Sequence, residues 1–319
     1  MSAQPNDKQQ SVLTVVIALA ANALIAIAKT VAAVITGSAS MVAEAAHSWA
    51  DAANEIFLLV AERRSSRSRD PAHPLGYGRE AYVWSMFAAF GLFGVGAAVS
   101  IMHGVQELIT PESAGDFAIA YVVLAVSAVL EGISFTQAFR QARRVATRRG
   151  KNTLEHVLRS SNPTLRAVFA EDAAALVGLT IAFGGILLHE LTGSPVYDSI
   201  GSILIGVLLG VVALVLMDRN RRFLVGQAVD TQMRDAVLRT LLQRDDIERV
   251  TYLHIEFVGP SRLFLVAAVD LIGNAVESSV AQMLRTIEHD LDTNPSIAEA
   301  VLTPSLPQDP ALVPAPDRD

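Results

Sequence analysis

His47 and Asp51, in His47-Ser-Trp-Ala-Asp51, stand four residues apart inside a hydrophobic stretch long enough to cross a bilayer. On a helix they share one face, one turn apart. Both are costly in hydrocarbon, so their default role there is an ion pathway or a proton relay. Imidazole with carboxylate is also the ligand mix of a divalent transition-metal site. Asn54 extends the stripe at i, i+4, i+7, and Glu44 and Glu55 lie on the same segment. A water-lined helix or a hydrogen-bonded stripe buried in a bundle would use the same residue types. So dense a stripe favours an ion site.

Glu171-Asp172, in Val168-Phe-Ala-Glu-Asp172, is the apparent counterpart on a later apolar segment. Two adjacent carboxylates near mid-helix require a cation or protons. Nearer the segment end they would simply be solvated. Glu131, in Leu130-Glu-Gly-Ile-Ser134, could ligate metal, carry protons or hydrogen-bond. Lys29 reads as a snorkelling or charge-balancing residue. A second element is the loop Asp70-Pro-Ala-His73-Pro-Leu-Gly-Tyr77-Gly78-Arg79-Glu80. Asp70 and His73 could hold a peripheral cation, or the loop is a Gly/Pro-shaped turn with a solvated histidine. The remaining histidines, His103, His156, His189, His254 and His289, are scattered singly and read as surface or packing residues.

The elements that must position these groups are membrane helices. The chain has 319 residues, 51% hydrophobic and 18% charged, more apolar than an average soluble domain. Apolar runs of about 20 residues, the length of a membrane-crossing helix, recur. We read six: about Val12–Ile35, Ser40–Ala61, Ala81–Ile109, Phe117–Phe139, Thr164–Leu188 and Val196–Met217. Gly91, Gly94 and Gly96 on the third are expected at close helix contacts. Pro163 and Pro195 mark the starts of the last two. With no cysteine, disulfides and thiolate metal sites are excluded. Met1–Gln10 is polar, with Lys8 its one cation, and does not read as a cleaved signal peptide.

Charge sets the expected orientation. Arg63, Arg64, Arg67, Arg69 and Arg79 follow the second segment, and Arg140, Arg143, Arg144, Arg148, Arg149, Lys151 and Arg159 follow the fourth. Arg219, Arg221 and Arg222 follow the sixth, while the alternate connections, around Gly37, Thr110–Asp116 and His189–Tyr197, hold no Lys or Arg. The positive-inside rule then places both termini in the cytoplasm, with a bacterial inner membrane as the expected location. Residues 1–222 read as a six-helix transmembrane domain and 223–304 as a small cytoplasmic α+β domain. In the latter, helix Met233–Arg244, strands Val250–Phe257 and Leu263–Leu271, helix Val276–Leu291 and strand Ala298–Thr303 give a ferredoxin-like αββαβ order, with Gly259-Pro260-Ser261 as the hairpin turn. The proline-rich tail 305–319 is expected to be disordered.

Gly37-Ser-Ala-Ser40, Glu44-Ala-Ala-His47-Ser-Trp-Ala-Asp51 and His73-Pro-Leu-Gly-Tyr-Gly-Arg-Glu80 resemble the cation diffusion facilitator family of zinc and manganese exporters. Six helices, internal termini and the αββαβ domain resemble it too, over about residues 11–304. The resemblance implies a homodimer in a lipid bilayer that moves a divalent cation out of the cytosol in exchange for protons. It implies no enzyme activity, no bound cofactor and no nucleic-acid partner. It carries a transport site onto His47, Asp51 and Asp172. Three departures accompany it. Val168 stands where the family's fourth ligand is His, with Glu171, Glu131 or Asn54 as replacements. The chain resembles the branch with a Glu-Asp pair here, which includes organellar and nuclear zinc transporter-like proteins of eukaryotes. Tyr77 replaces the second histidine of the loop site. Ala267 and Thr303 stand where relatives carry histidine in the cytoplasmic domain, and only His254 matches, so that domain is expected to dimerise without metal.

The implied mechanism is alternating access, with metal and protons competing for the same ligands and His47 as the exchanger near neutral pH. One imidazole with three oxygen-type ligands suits Zn²⁺ and also accepts Mn²⁺, Fe²⁺ or Co²⁺. A membrane-embedded metalloprotease would require a His-Glu-x-x-His-type motif, and the chain has none. A metal sensor or scaffold that has lost transport remains the other reading, supported by Val168.

Overall fold

The computed structural model describes residues 5–111, 117–148, 150 and 152–315, without the side chains of 5–18, 92–93 and 148. Met1–Gln4 of the N-terminal segment, residues 112–116 of the connection read as 110–116, Arg149, Lys151 and the last four tail residues lie outside the described residues. The chain divides into two compact units. One comprises Met1–Ala61 and Val83–Asn220, the other Glu62–Tyr82 and Arg221–Asp319.

The first unit is helical. It draws on α1 (Pro5–Thr36), α2 (Ala39–Ser65), α3 (Glu80–Ala88), a π-turn (Ala89–Phe93), α4 (Gly94–Ile109), α5 (Ala118–Arg148), α6 (Thr153–Arg159), α7 (Pro163–Thr192) and α8 (Val196–Val225). Among the described residues, five stretches are long and apolar enough to cross a membrane: Leu19–Thr36, Glu80–Ile109, Ala118–Thr147, Pro163–Thr192 and Val196–Val225. The sixth expected segment, α2, is a helix of 27 residues whose polar stripe keeps it out of that set. Its core is built from small residues, among them Ala32, Ala33, Ala43, Ala120 and Ala182, with Met41, Ile186, Ile205 and Leu209. Van der Waals contact between closely spaced helices is the main attraction available in lipid, and small side chains permit it.

The close glycine contacts are not the expected ones. A Cβ at Gly91 or Gly94 would meet nothing within 4 Å, and Gly91 sits inside the π-turn. Gly96 has ordinary packing room, 3.5 Å from Leu209. The tight α4–α8 approach uses Gly104 and Gly206, where a Cβ would lie 2.7 Å from the Ser199 carbonyl oxygen and 2.9 Å from that of Ala97. Glycine spacing alone does not reveal which helix face has a neighbour.

The start of α2 is fixed from outside the helix. Asp198, buried on α8, accepts hydrogen bonds from Ser38 Oγ (3.0 Å), Ala39 N–H (2.8 Å) and Ser40 N–H (3.2 Å). These amides have no intrahelical partner, and the helix N-terminus attracts a carboxylate. Asp198→Ala is expected to cost roughly 2–3 kcal/mol in detergent unfolding, because it strands several buried donors.

The second unit contains α9 (Thr231–Leu242), β1 (Ile247–Gly259), β2 (Arg262–Leu271), α10 (Glu277–Asp292) and β3 (Ile297–Pro304). The αββαβ order matches the expectation. The sheet runs β1-β2-β3, with β1 antiparallel and β3 parallel to the central β2. Leu238 and Leu241 of α9 and Leu284 and Ile287 of α10 cover Val250, Ile255, Leu265, Val269 and Leu302. The hairpin turn is Pro260-Ser261, and Ser261 adopts φ 56°, the pattern of a type II turn with proline first.

A loop and the tail both join the second unit. The loop Glu62–Tyr82 groups with the C-terminal residues: Arg79 bonds Glu256 at 2.9 Å, and Tyr82 stacks on Phe223, which meets Phe257 edge-on. Gly78 is needed there, since a Cβ would lie 2.5 Å from the Val258 carbonyl oxygen. The tail is not disordered over 305–315. Arg249 bonds Asp270 and donates to the carbonyls of Pro307 and Asp309, Leu312 N–H donates to Val250 O (2.8 Å), and Leu312 packs on the core. Prolines prevent a regular element but leave carbonyls for a guanidinium with five donors.

Candidate metal centre

The polar residues of α1, α2, α5 and α7 form a network within the first unit. His47 Nε2 lies 3.4 Å from Asp51 Oδ2, and His47 is almost fully buried. The i, i+4 pairing read from the sequence therefore exists. Asn54, one turn further on, donates its amide to Glu171 Oε1 and ties α2 to α7. Asp172, next along α7, accepts a bond from Ser134 Oγ of α5 at 2.8 Å. Glu131 lies on α5 one turn before Ser134, half-buried. Asp51 has the carboxylates of Glu131, Glu44 and Asp172 and the ammonium of Lys29 within electrostatic range.

Helix continuity explains the split between Glu171 and Asp172. Successive helical residues point about 100° apart, so neighbours in sequence address different partner helices. Glu171 is buried toward α2, while Asp172 and Val168, four apart on one face, are half-buried. The sequence paired the two carboxylates as one feature, and the structure assigns them separate contacts.

Lys29 does not snorkel. Its Nζ lies 2.8 Å from Glu44 Oε2, with both side chains fully buried, which leaves charge balance as its role. The other Glu44 oxygen, Oε1, has no hydrogen-bond partner among the described residues and lies where a Cβ on Gly178 would sit. Glu44 bonds this ammonium, Asp51 and Glu131 lie within its electrostatic range, and Glu171 lies within range of Asp51, Asp172, Glu55 and Glu131. Glu55 accepts from Asn22 at 2.7 Å. Such an excess of acid in a membrane-spanning region calls for cations or protons. Among the described residues, however, no three His, Asp or Glu side chains converge closely enough to cage a metal ion. Sequence reasoning gave no role to Asn22 and Ser134. Asn22 carried no signal, and Ser134 could have been found one turn from Glu131.

The loop candidate is a compact turn. Asp70 Oδ1 accepts from the N–H groups of Ala72 and His73, and Oδ2 accepts from Tyr77 O–H at 2.6 Å. His73 Nδ1 lies 3.3 Å from Asp70 and its ring stacks on Tyr77. Local hydrogen bonds thus occupy both carboxylate oxygens, the pattern of an Asx-turn. The Tyr77 bond first, and the His73 contacts after it, hold the Asp70 carboxyl below its ordinary value, while Asp70 pushes the Tyr77 phenol up. A lowered folded-state value means the contribution is present above the ordinary carboxylate range and lost as pH falls through the folded value. Tyr77→Phe is expected to shift the Asp70 titration upward, read by carbon-13 NMR of the aspartate carboxyls.

In the second unit, His254 Nε2 lies 3.6 Å from Glu256 Oε2, and Glu256 also binds Arg79. Ala267 is fully buried in the core, with Thr303 bonding its carbonyl.

A bundle of membrane-crossing helices with an acid-rich polar interior, followed by a small αββαβ unit, defines a polytopic membrane protein of the cation-handling class. Residues 15–225 match the cation efflux transmembrane domain, and the chain belongs to that family. It is 37% identical over 236 residues to metal tolerance protein C4 of Arabidopsis thaliana, covering 74% of this chain and 52% of that protein. It is 35% identical over 266 residues to the mitochondrial proton-coupled zinc antiporter SLC30A9 of Xenopus laevis, covering 83% and 47%. The human protein of that name is 32% identical over 280 residues, covering 86% and 49%. The chain spans about half the length of these relatives.

Proposed function

We propose that the protein exports a divalent metal cation, zinc first, from the cytosol in exchange for protons. The observation that carries this reading is the acid-rich network built around His47 and Asp51, which Asn54 links to Glu171 on α7. The zinc assignment draws on the antiporters named above. His47, Asp51 and Asp172 bind the ion, with Glu171, Glu131 or Asn54 completing the shell. The same groups take protons when the metal leaves, so the two compete and one site serves both directions of exchange. Alternating access exposes it first to the cytoplasm, where the basic loops and both termini lie, then to the opposite side. The working unit is a homodimer.

Proteoliposome flux across Zn²⁺, Mn²⁺, Fe²⁺ and Co²⁺ is the test. Metal-driven proton movement is expected in the wild type and is expected to vanish in Asp51→Ala and Asp172→Ala. Undiminished flux in both variants would overturn the assignment. Val168, where the resembled family carries a histidine ligand, favours one second reading, a metal sensor that has lost transport. A sensor binds metal but moves none.

A further inference from the structure

We propose that the basic end of α5 is a binding site for an anionic phospholipid. Arg140, Arg143, Arg144 and Thr147 line an open cavity of about 480 Å³. They recur at i, i+3, i+4 and i+7 and so form one stripe. Ala142 and Ala146, between them, are buried, and Ala142 packs with Val157 and Phe169. The arginines are therefore not part of the bundle interior. No carboxylate among the described residues pairs with Arg140, Arg143 or Arg144, unlike Arg159, which has Glu155 at 3.4 Å. Three guanidinium groups without internal counter-ions call for an external anion.

The apolar part of the same helix face identifies that anion as a lipid. Val122, Val126, Val129 and Ile133 are 63%, 55%, 63% and 54% exposed. Eighteen residues make about five turns, so Val122 is in phase with Arg140, Val126 with Arg144 and Val129 with Thr147. The rise over that interval is about 27 Å, close to the hydrocarbon thickness of a bilayer. The surface that meets acyl chains thus runs directly into the surface that holds positive charge. A phospholipid laid along α5 would have its chains on the valine stripe and its phosphate among the arginines. Clustered arginines just beyond a membrane-crossing segment attract anionic lipid by about fivefold each, so neutralising three is expected to weaken binding roughly a hundredfold.

The full chain in detergent is titrated with phosphatidylglycerol or phosphatidylcholine, and adducts are counted by native mass spectrometry. Selective phosphatidylglycerol adducts are expected in the wild type and in Arg285→Gln, a matched charge loss in the C-terminal unit. They are expected to fall about a hundredfold in the triple variant R140Q/R143Q/R144Q and to persist when the three positions are lysine. Equal binding in the wild type and the triple glutamine variant would overturn the proposal. A second measurement needs no variant: phenylglyoxal labelling of the wild type in nanodiscs. Phosphatidylglycerol is expected to shield Arg140–Arg144 relative to phosphatidylcholine. Equal labelling in the two bilayers overturns the site, and equal shielding by free glycerol phosphate overturns the lipid as its ligand.

Discussion

Lys29→Met is expected to destabilise the membrane-spanning unit by about 3–5 kcal/mol, the cost of breaking a buried ion pair from one side. Lys29 and Glu44 are both fully buried, with Nζ 2.8 Å from Oε2. Removing the ammonium leaves a carboxylate whose other oxygen already has no hydrogen-bond partner among the described residues. The stranded charge, rather than the missing contact, is the larger part of the loss. The double variant Lys29→Met/Glu44→Gln should therefore recover most of it, to within about 1 kcal/mol of the wild type, since both partners are then neutral. Unfolding by SDS in mixed micelles measures all the variants, and Glu44→Gln alone completes the cycle. A double variant no more stable than Lys29→Met would show that the two charges are not energetically paired. Lys29 also lies within electrostatic range of His47, Asp51 and Glu131, so the pair sits inside the acidic network.

The network shows which features a sequence displays and which it withholds. His47, Asp51 and Asn54 could be read directly, because 3.6-residue periodicity places them on one face and the cost of polarity in lipid makes them conspicuous. The same periodicity gave the helices and the αββαβ unit. What it cannot give is the partner across a helix interface. Asn22 against Glu55, Ser134 against Asp172 and Lys29 against Glu44 depend on how helices rotate and approach, which small residues set in combination. Gly104 and Gly206 mark a real approach while Gly91 and Gly94 do not, and all four look alike in sequence. The tail is a related case. Its composition excludes regular structure, but order there comes from Arg249 and from Leu312 packing on a core built by other residues.

Glu171→Gln is expected to lower metal flux at least a hundredfold while leaving the fold in place, because Glu171, one of the groups proposed to complete the shell, is held against α2 by Asn54. This prediction rests on the export reading. Glutamine retains an oxygen that can accept the Asn54 amide bond, so the α2–α7 tie survives and only the negative charge is lost. Asn54→Ala makes the complementary change, keeping the charge and removing its anchor, and should cost less. Val168 shares the Asp172 face of α7, so a histidine there would meet the site from the position four residues before Asp172. Val168→His/Glu171→Gln should therefore restore flux. A second imidazole in place of an oxygen ligand should also shift the preference from Mn²⁺ toward Zn²⁺. Proteoliposome uptake of each metal, with binding measured separately by isothermal titration, distinguishes a lost ligand from a lost conformational step. Full flux in Glu171→Gln would remove Glu171 from the shell and leave Asn54 or Glu131, a carboxylate within range of both Asp51 and Asp172, to complete it.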